Sequence, residues 1–119
     1  MAQDRYAELH AGFAWKVPTH FNIAEVCCTR WARQTPDATA IIVDRGPGRR
    51  AQRCTYAQLD VQANRLAHAL VRLGARRGDR IAIVMPQRVE TAAAHIAAYR
   101  IGAVAMPLSM LFGPEALEY

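Results

Sequence analysis

The chain has 119 residues, enough for one domain with a buried core and too few for a multidomain enzyme acting alone. Hydrophobic residues make up 52% and charged residues 21%, which fits a soluble globular protein and excludes a disordered one. The formal charge is +5, and because Lys16 is the only lysine, the positive excess comes from arginine. No run reaches the roughly 18 apolar residues of a membrane span, and no secretory signal is visible.

The first predicted helix follows a lead-in at residues 1–20, which has no clear hydrophobic period and which we expect to be extended. Asn22 and Glu25 have the spacing of a capping box, and Phe21 and Val26 have that of a hydrophobic staple. The helix is expected to continue to about Gln34, since Pro36 prevents its extension. With the ordinary α-helical period, its inward face carries Ile23, Val26, Cys27 and Trp31, and Cys28 lies at the edge.

A β-hairpin and a long helix are predicted next. The β-branched run at 40–43 predicts a strand, and Arg53-Cys54-Thr55 is its candidate partner across the turn at Gly46-Pro47-Gly48. Thr55 and Gln58 form a second capping box, and Gly74 stands where a helix C-terminus is expected. The helix between them has a buried stripe (Leu59, Ala63, Leu66, Leu70, Leu73) and a polar face (Arg65, His68, Arg72).

The last part of the chain predicts a strand–helix–strand crossover. The strand at 81–85 is continuously apolar, which indicates a strand covered on both faces. A helix at 88–100 and a strand at 103–106 follow, so the two strands should be parallel and the crossover right-handed. Gly113-Pro114-Glu115 has the pattern of another helix start, and the chain ends inside that helix, at Tyr119.

The sequence contains no recognisable catalytic motif. Ser109 is the only serine, Lys16 follows no glycine run, and the histidines (His10, His20, His68, His95) lack metal-ligand spacing. His68 and His95 are expected on solvated helix faces, and Gly46-Pro47-Gly48 is expected to be a hairpin turn and not a phosphate loop. We therefore assign no catalytic, cofactor-binding or metal-ligating residue to this chain.

Two further features bear on partners and compartment. The arginines cluster at turns (Arg45, Arg49, Arg50, Arg53 and Arg72, Arg76, Arg77, Arg80) without interleaved aromatics, which favours a solvated surface over a nucleic-acid interface. The three cysteines (Cys27, Cys28, Cys54) have neither disulfide-framework nor zinc spacing, so we expect reduced thiols and a cytoplasmic protein, with a redox role for Cys27 and Cys28 as the minor alternative.

Several phrases, in order, resemble the N-terminal portion of the AMP-dependent acyl-CoA synthetases, the adenylate-forming AMP-binding enzymes, and in particular the short- and medium-chain members. The resemblance covers about residues 20–119 and is strongest at Gly74–Pro86, which reads GARRGDRIAIVMP. The other phrases are Asn22-Ile23-Ala24 with Trp31, Thr35-Pro36-Asp37 with Ala40, Thr55-Tyr56-Ala57-Gln58-Leu59 with Gln58 for the usual Glu, Glu90, Arg100–Val104 and Pro107-Leu108. These are scaffold positions: glycines at turns and apolar runs in strands.

The resemblance implies an α/β fold: a partial N-terminal subdomain of the adenylate-forming fold, with helices packed on a mixed, partly parallel sheet. Residues 21–119 would be an incomplete AMP-binding-enzyme domain, truncated at a helix start. Ser109–Gly113 matches in position a family loop near the CoA-binding side, but its residue types carry no motif, so no site is assigned there.

Full-length members of the family are ATP-dependent acid–thiol ligases of fatty acid and related metabolism. They convert a carboxylic acid, ATP and CoA to acyl-CoA, AMP and pyrophosphate, and they use Mg²⁺. The motifs for that chemistry are missing here, so we expect a fragment that is inactive alone. The alternatives are a non-catalytic interaction module or half of a split enzyme, which docks a complementary C-terminal chain or associates with itself, and a basic nucleic-acid-binding domain.

Overall fold

A computed structural model describes residues 5–118 and contains the predicted alternation of helices and strands. The elements are α1 (Tyr6–Gly12), a π-helical segment (Glu25–Thr29) continuing into α2 (Arg30–Gln34), β1 (Thr39–Val43), β2 (Gln52–Thr55), α3 (Tyr56–Arg72), β3 (Arg80–Ile83), α4 (Val89–Arg100), β4 (Val104–Pro107) and α5 (Pro114–Leu117). This order confirms an α/β protein. Tyr119, at which the chain was predicted to end inside its last helix, lies outside the described residues.

The strands pair as the sequence predicts, in two separate two-stranded sheets. β1 and β2 form an antiparallel hairpin in which Ile42 faces Arg53. β3 and β4 are parallel, with Ile81 opposite Ala105, and α4 connects them. The antiparallel and the parallel pair are therefore joined through helices and not through a shared strand.

The core lies between α3 and α4, with β1 and the π-helical segment packed against it. α4 is buried over most of its circumference, including Val89, Ala93, Ile96 and Ala97. Leu59 and Ala63 of α3 are buried too, whereas the predicted core residue Leu73 is 85% exposed. Leu73 lies one residue beyond the end of α3, where no described element covers it.

The π-helical segment reverses the predicted roles of two cysteines. Cys27 was predicted to face inward and Cys28 to lie at the edge, but Cys28 is 0% exposed and Cys27 is exposed. The Arg30 backbone N–H donates to the Glu25 carbonyl, five residues back instead of four. One residue is thereby added to the turn, which rotates the following side chains relative to the α-helical period on which the prediction rested.

The two predicted capping boxes have different outcomes. At α3, Gln58 N–H donates to Thr55 Oγ1 at 3.3 Å and Thr55 N–H donates to Gln58 Oε1 at 3.0 Å, so both halves are present. At the first helix, Asn22 Oδ1 accepts from Ala24 and Glu25 N–H, at 2.9 and 3.3 Å. The Glu25 carboxylate does not complete this box, because it forms a two-point ion pair with Arg33 instead.

The lead-in is not entirely extended, which corrects the prediction for residues 1–20 within the described part. Tyr6–Gly12 forms α1, none of whose residues is buried. Pairs of neighbouring side chains stabilise this helix. Arg5 Nε lies 3.6 Å from Glu8 Oε2, and the rings of Tyr6 and His10 stack four residues apart. Such pairs leave no hydrophobic period, which is why the helix was not predicted.

One face of the parallel pair is uncovered, so the prediction of a strand covered on both faces is wrong for the described residues. In β3, Ile83 is buried, whereas Arg80 and Ala82 on the opposite face are exposed. Large apolar side chains at this end of the fold are exposed as well: Val84, Met85, Val104 and Met106. Among the described elements, α4 covers only one of the two faces of the β3–β4 pair.

Candidate functional site

The best-defined polar centre joins the π-helical segment, α3 and the end of α4. Arg100 Nη2 donates to Asp60 Oδ1 at 2.5 Å and to Thr29 Oγ1 at 2.7 Å. Thr29 Oγ1 in turn donates to Asp60 Oδ1 at 2.9 Å. The Arg100 and Asp60 side chains are 20% and 26% exposed, so the ion pair is only partly hydrated.

Cys28 completes this centre as a protonated thiol. Its Sγ donates to Asp60 Oδ1 across 3.8 Å. Burial, and next the negative charge of Asp60, raise the pKa of Cys28 from 9.0 to about 11. Because the thiolate is the reactive form of cysteine, this thiol is not an activated nucleophile at neutral pH.

The centre links the π-helical segment, α3 and α4, because Asp60 Oδ1 accepts from groups on the other two elements. A second link, from Asn22 Nδ2 to the Tyr99 carbonyl at 3.1 Å, joins the residues just before the π-helical segment to the end of α4. The Asp60–Arg100 pair was not predicted from the sequence. The available signal was that Asp60 lies three residues before Ala63 and Arg100 three after Ala97, so each charge shares a stripe with a buried alanine.

A cleft of about 570 Å³ lies between the hairpin and the starts of α3 and α4. It is lined by Val43, Arg45, Gln52, Arg53, Cys54, Gln58, Gln62, Arg88, Val89 and Glu90. Burial, followed by the charge of Glu90, raises the pKa of the Cys54 thiol, so this cysteine also stays protonated. The cleft therefore offers polar side chains but no activated nucleophile.

The other candidate residues from the sequence, the clustered arginines and the histidines, are dispersed over the fold and do not form one site. All eight arginines of the two clusters are exposed, as is His68. His95 was expected on a solvated helix face, but it is half-buried because α4 has little solvated face. Its Nδ1 lies 2.9 Å from the Thr91 carbonyl oxygen. Within residues 5–118, no three His, Cys, Asp or Glu side chains are grouped to hold a metal ion.

The loop at 109–113 uses its serine locally. Ser109 Oγ accepts from Leu111 N–H at 3.1 Å, and the Ser109 carbonyl accepts from Phe112 N–H at 3.2 Å. These bonds close a turn whose residues are exposed. No helix of the described part of the chain is both long and apolar enough to cross a lipid bilayer.

Comparison with known proteins gives a consistent result. A profile of the AMP-binding enzyme family matches residues 28–119. The chain is 36% identical over 115 residues to acetyl-coenzyme A synthetase of Phycomyces blakesleeanus, and 33% identical over 112 residues to that of Escherichia coli O157:H7. These matches cover 96% and 94% of this chain and 17% of each relative.

The fold agrees with the sequence match. The structure of a fatty acid AMP ligase from Legionella pneumophila superposes with a TM-score of 0.71 at 22% identity, over 82% of this chain and 16% of that one. The N-terminal subdomain of Klebsiella oxytoca NpsA has the same fold, with a TM-score of 0.70 at 24% identity over 82% of this chain and 24% of that one. The chain thus spans about a sixth of the length of the two synthetases and of the Legionella ligase. The chain belongs to the AMP-binding enzyme family.

Proposed function

We propose that this chain serves as the N-terminal scaffold of an acyl-CoA-synthetase-type ligase and does not itself form the acyl-adenylate. In the complete enzyme, a carboxylic acid, ATP and CoA would give acyl-CoA, AMP and pyrophosphate. The acetyl-coenzyme A synthetases among its relatives support a short-chain acid as the substrate. The free state of all three cysteines supports a cytoplasmic location.

The observation that carries the proposal is the amount of surface that the fold leaves open. The chain exposes 9807 Å², about half as much again as the roughly 6,400 Å² expected of a compact protein of this mass. Its radius of gyration is 18.3 Å, against about 13.5 Å for a compact chain of this length. Such excess supports a scaffold that is completed by further protein.

The polar groups support a structural role as well. In the described residues, every fully buried side-chain nitrogen or oxygen has a hydrogen-bond partner, and no acidic cluster is available for Mg²⁺. These residues do not fit ATP with its metal ion, so no step of adenylation is derived from them. ATP, Mg²⁺ and CoA would be held by the rest of the enzyme.

The same open surface supports a second candidate, in which this chain is half of a split enzyme or an interaction module that docks another polypeptide. Val84, Met85, Val104 and Met106 form an exposed apolar group of the kind found at protein interfaces. No contact in the described residues favours the nucleic-acid alternative. Binding of the chain to DNA or RNA with a steep salt dependence would revive that alternative.

The test of the proposal is carboxylate-dependent ATP–pyrophosphate exchange by the purified full chain with Mg²⁺ and acetate. We expect no exchange above the background without protein. The acetyl-coenzyme A synthetase of Escherichia coli, assayed in parallel, is the positive control. Exchange that depends on this chain and on the acid would show that it carries adenylation residues, and would overturn the proposal.

A further inference from the structure

Residues 5–23, called here the N-terminal arm, expose an unusual density of large apolar side chains. Seven are exposed: Tyr6, Leu9, Phe13, Trp15, Val17, Phe21 and Ile23. Trp15 is 83% exposed, and its ring lies edge-to-face with that of Phe13, with centroids 5.0 Å apart. Exposed aromatic clusters of this kind mark interaction surfaces, so the arm lacks the surface that it is suited to contact.

The arm is shared with the acetyl-coenzyme A synthetases and lies outside the general family profile. The match to the Phycomyces blakesleeanus protein covers 96% of this chain, so it includes nearly all of the arm. The AMP-binding enzyme profile begins only at residue 28. In the relative, the arm belongs to a chain about six times as long as the matched part, which provides further protein for the arm to contact.

We propose that the N-terminal arm docks onto the remainder of an acetyl-CoA-synthetase-type ligase, with Phe13, Trp15 and Val17 as its anchors. This inference rests on the proposed function. A stable interface buries about 800 Å² on each partner, and a buried aromatic side chain contributes about 150–250 Å², so the four aromatic side chains of the arm supply that area. The arm therefore binds the remainder of the enzyme that the rest of the chain helps to complete.

The single lysine gives a direct measure of docking. Lys16 is exposed and lies between Trp15 and Val17, so lysyl endopeptidase has one cleavage site in this chain, in the middle of the arm. The probe is the Escherichia coli acetyl-coenzyme A synthetase without the segment that this chain matches. We expect this probe to slow release of the peptide 1–16, followed by mass spectrometry, about tenfold or more, because docking shields the bond.

The anchors are tested with Phe13→Ser and Trp15→Ser, each of which should weaken protection about tenfold. Ile42→Ser is the matched control, since Ile42 is also exposed but faces the exposed Arg53 across the hairpin; it should leave protection unchanged. If the probe restores ATP–pyrophosphate exchange but Lys16 is cleaved as fast as in the free chain, the arm proposal is overturned and the proposed function stands.

Two other outcomes count against the inference in different ways. If the probe folds, judged by a cooperative thermal transition, but neither binds nor restores exchange, the proposed function fails and the arm proposal fails with it. If Lys16 becomes protected as the concentration of this chain rises, without any probe, a second copy of the chain is the occupant and the proposed docking of the arm onto the ligase is overturned.

Discussion

Replacing Asp60 with Asn is the sharpest perturbation of the helix tie, the hydrogen-bonded centre of Asp60, Arg100, Thr29 and Cys28. The substitution removes one charge and keeps the shape of the side chain. Asp60 Oδ1 accepts from Arg100, Thr29 and Cys28. In the variant, Arg100 keeps Thr29 Oγ1 and the carbonyl of residue 60, but it has no counter-charge. We expect both the folding free energy and the Cys28 titration to change.

The expected loss of stability in Asp60→Asn follows from the hydrogen-bond partners of Asp60 and from their exposure. A hydrogen bond to a charged group contributes about 1.5–3 kcal/mol, and the partial exposure of Asp60 and Arg100 reduces this, so Asp60→Asn should cost about 1–2 kcal/mol. Since Asp60 is the second cause of the raised Cys28 pKa, after burial, that pKa should fall below its value of about 11 yet stay above the ordinary 9.0.

The two readouts are urea unfolding of the full chain by circular dichroism and thiolate absorbance in a Cys27→Ser, Cys54→Ser background. Asp37→Asn is the control, because Asp37 is exposed, and it should stay within about 0.5 kcal/mol of the parent. A cycle with Arg100→Met should give a coupling energy of about 1 kcal/mol. Unchanged stability together with an unchanged Cys28 pKa would refute the assignment of this tie.

Three further predictions concern pH and backbone. Between pH 9 and 11 the unfolded chain loses the Cys28 proton that the folded chain keeps, so the free energy of unfolding in urea titrations should fall by about 2–3 kcal/mol. Cys28→Ala should remove this pH-dependent loss of stability, whereas Cys27→Ala should not. Thr55→Ala should cost about 1 kcal/mol by breaking the α3 capping box; equal denaturation midpoints would contradict this. Gly102 has φ of +73°, so Gly102→Ala should lower the melting temperature, whereas Gly12→Ala in α1 should not.

The elements that local signals specify were predictable. The Thr55–Gln58 capping box has both of its hydrogen bonds, because its partners lie three residues apart. The β3–α4–β4 unit follows from two apolar runs with a helix between them. The family assignment rests on such scaffold phrases, and the profile match over residues 28–119 confirms it.

What the sequence left unpredicted depends on non-local contacts or on rare geometry. Asp60 and Arg100 are 40 residues apart, so their pairing requires α3 and α4 to be placed first. The π-helical segment that buries Cys28 has no periodic signature, since a single five-residue hydrogen bond rotates the helix face. β3 was predicted to be covered on both faces because continuous apolarity reports the environment of a strand in the complete fold, and the described residues cover one face only.

The most direct test of the scaffold role is transfer of this chain into a working enzyme. The full chain replaces the matching segment of the Escherichia coli acetyl-coenzyme A synthetase, and acetate-dependent ATP–pyrophosphate exchange is measured for the fusion and for the parent enzyme without that segment. We predict exchange by the fusion and none by the shortened parent. A fusion that folds, judged by a cooperative thermal transition, but gives no exchange would contradict the scaffold role.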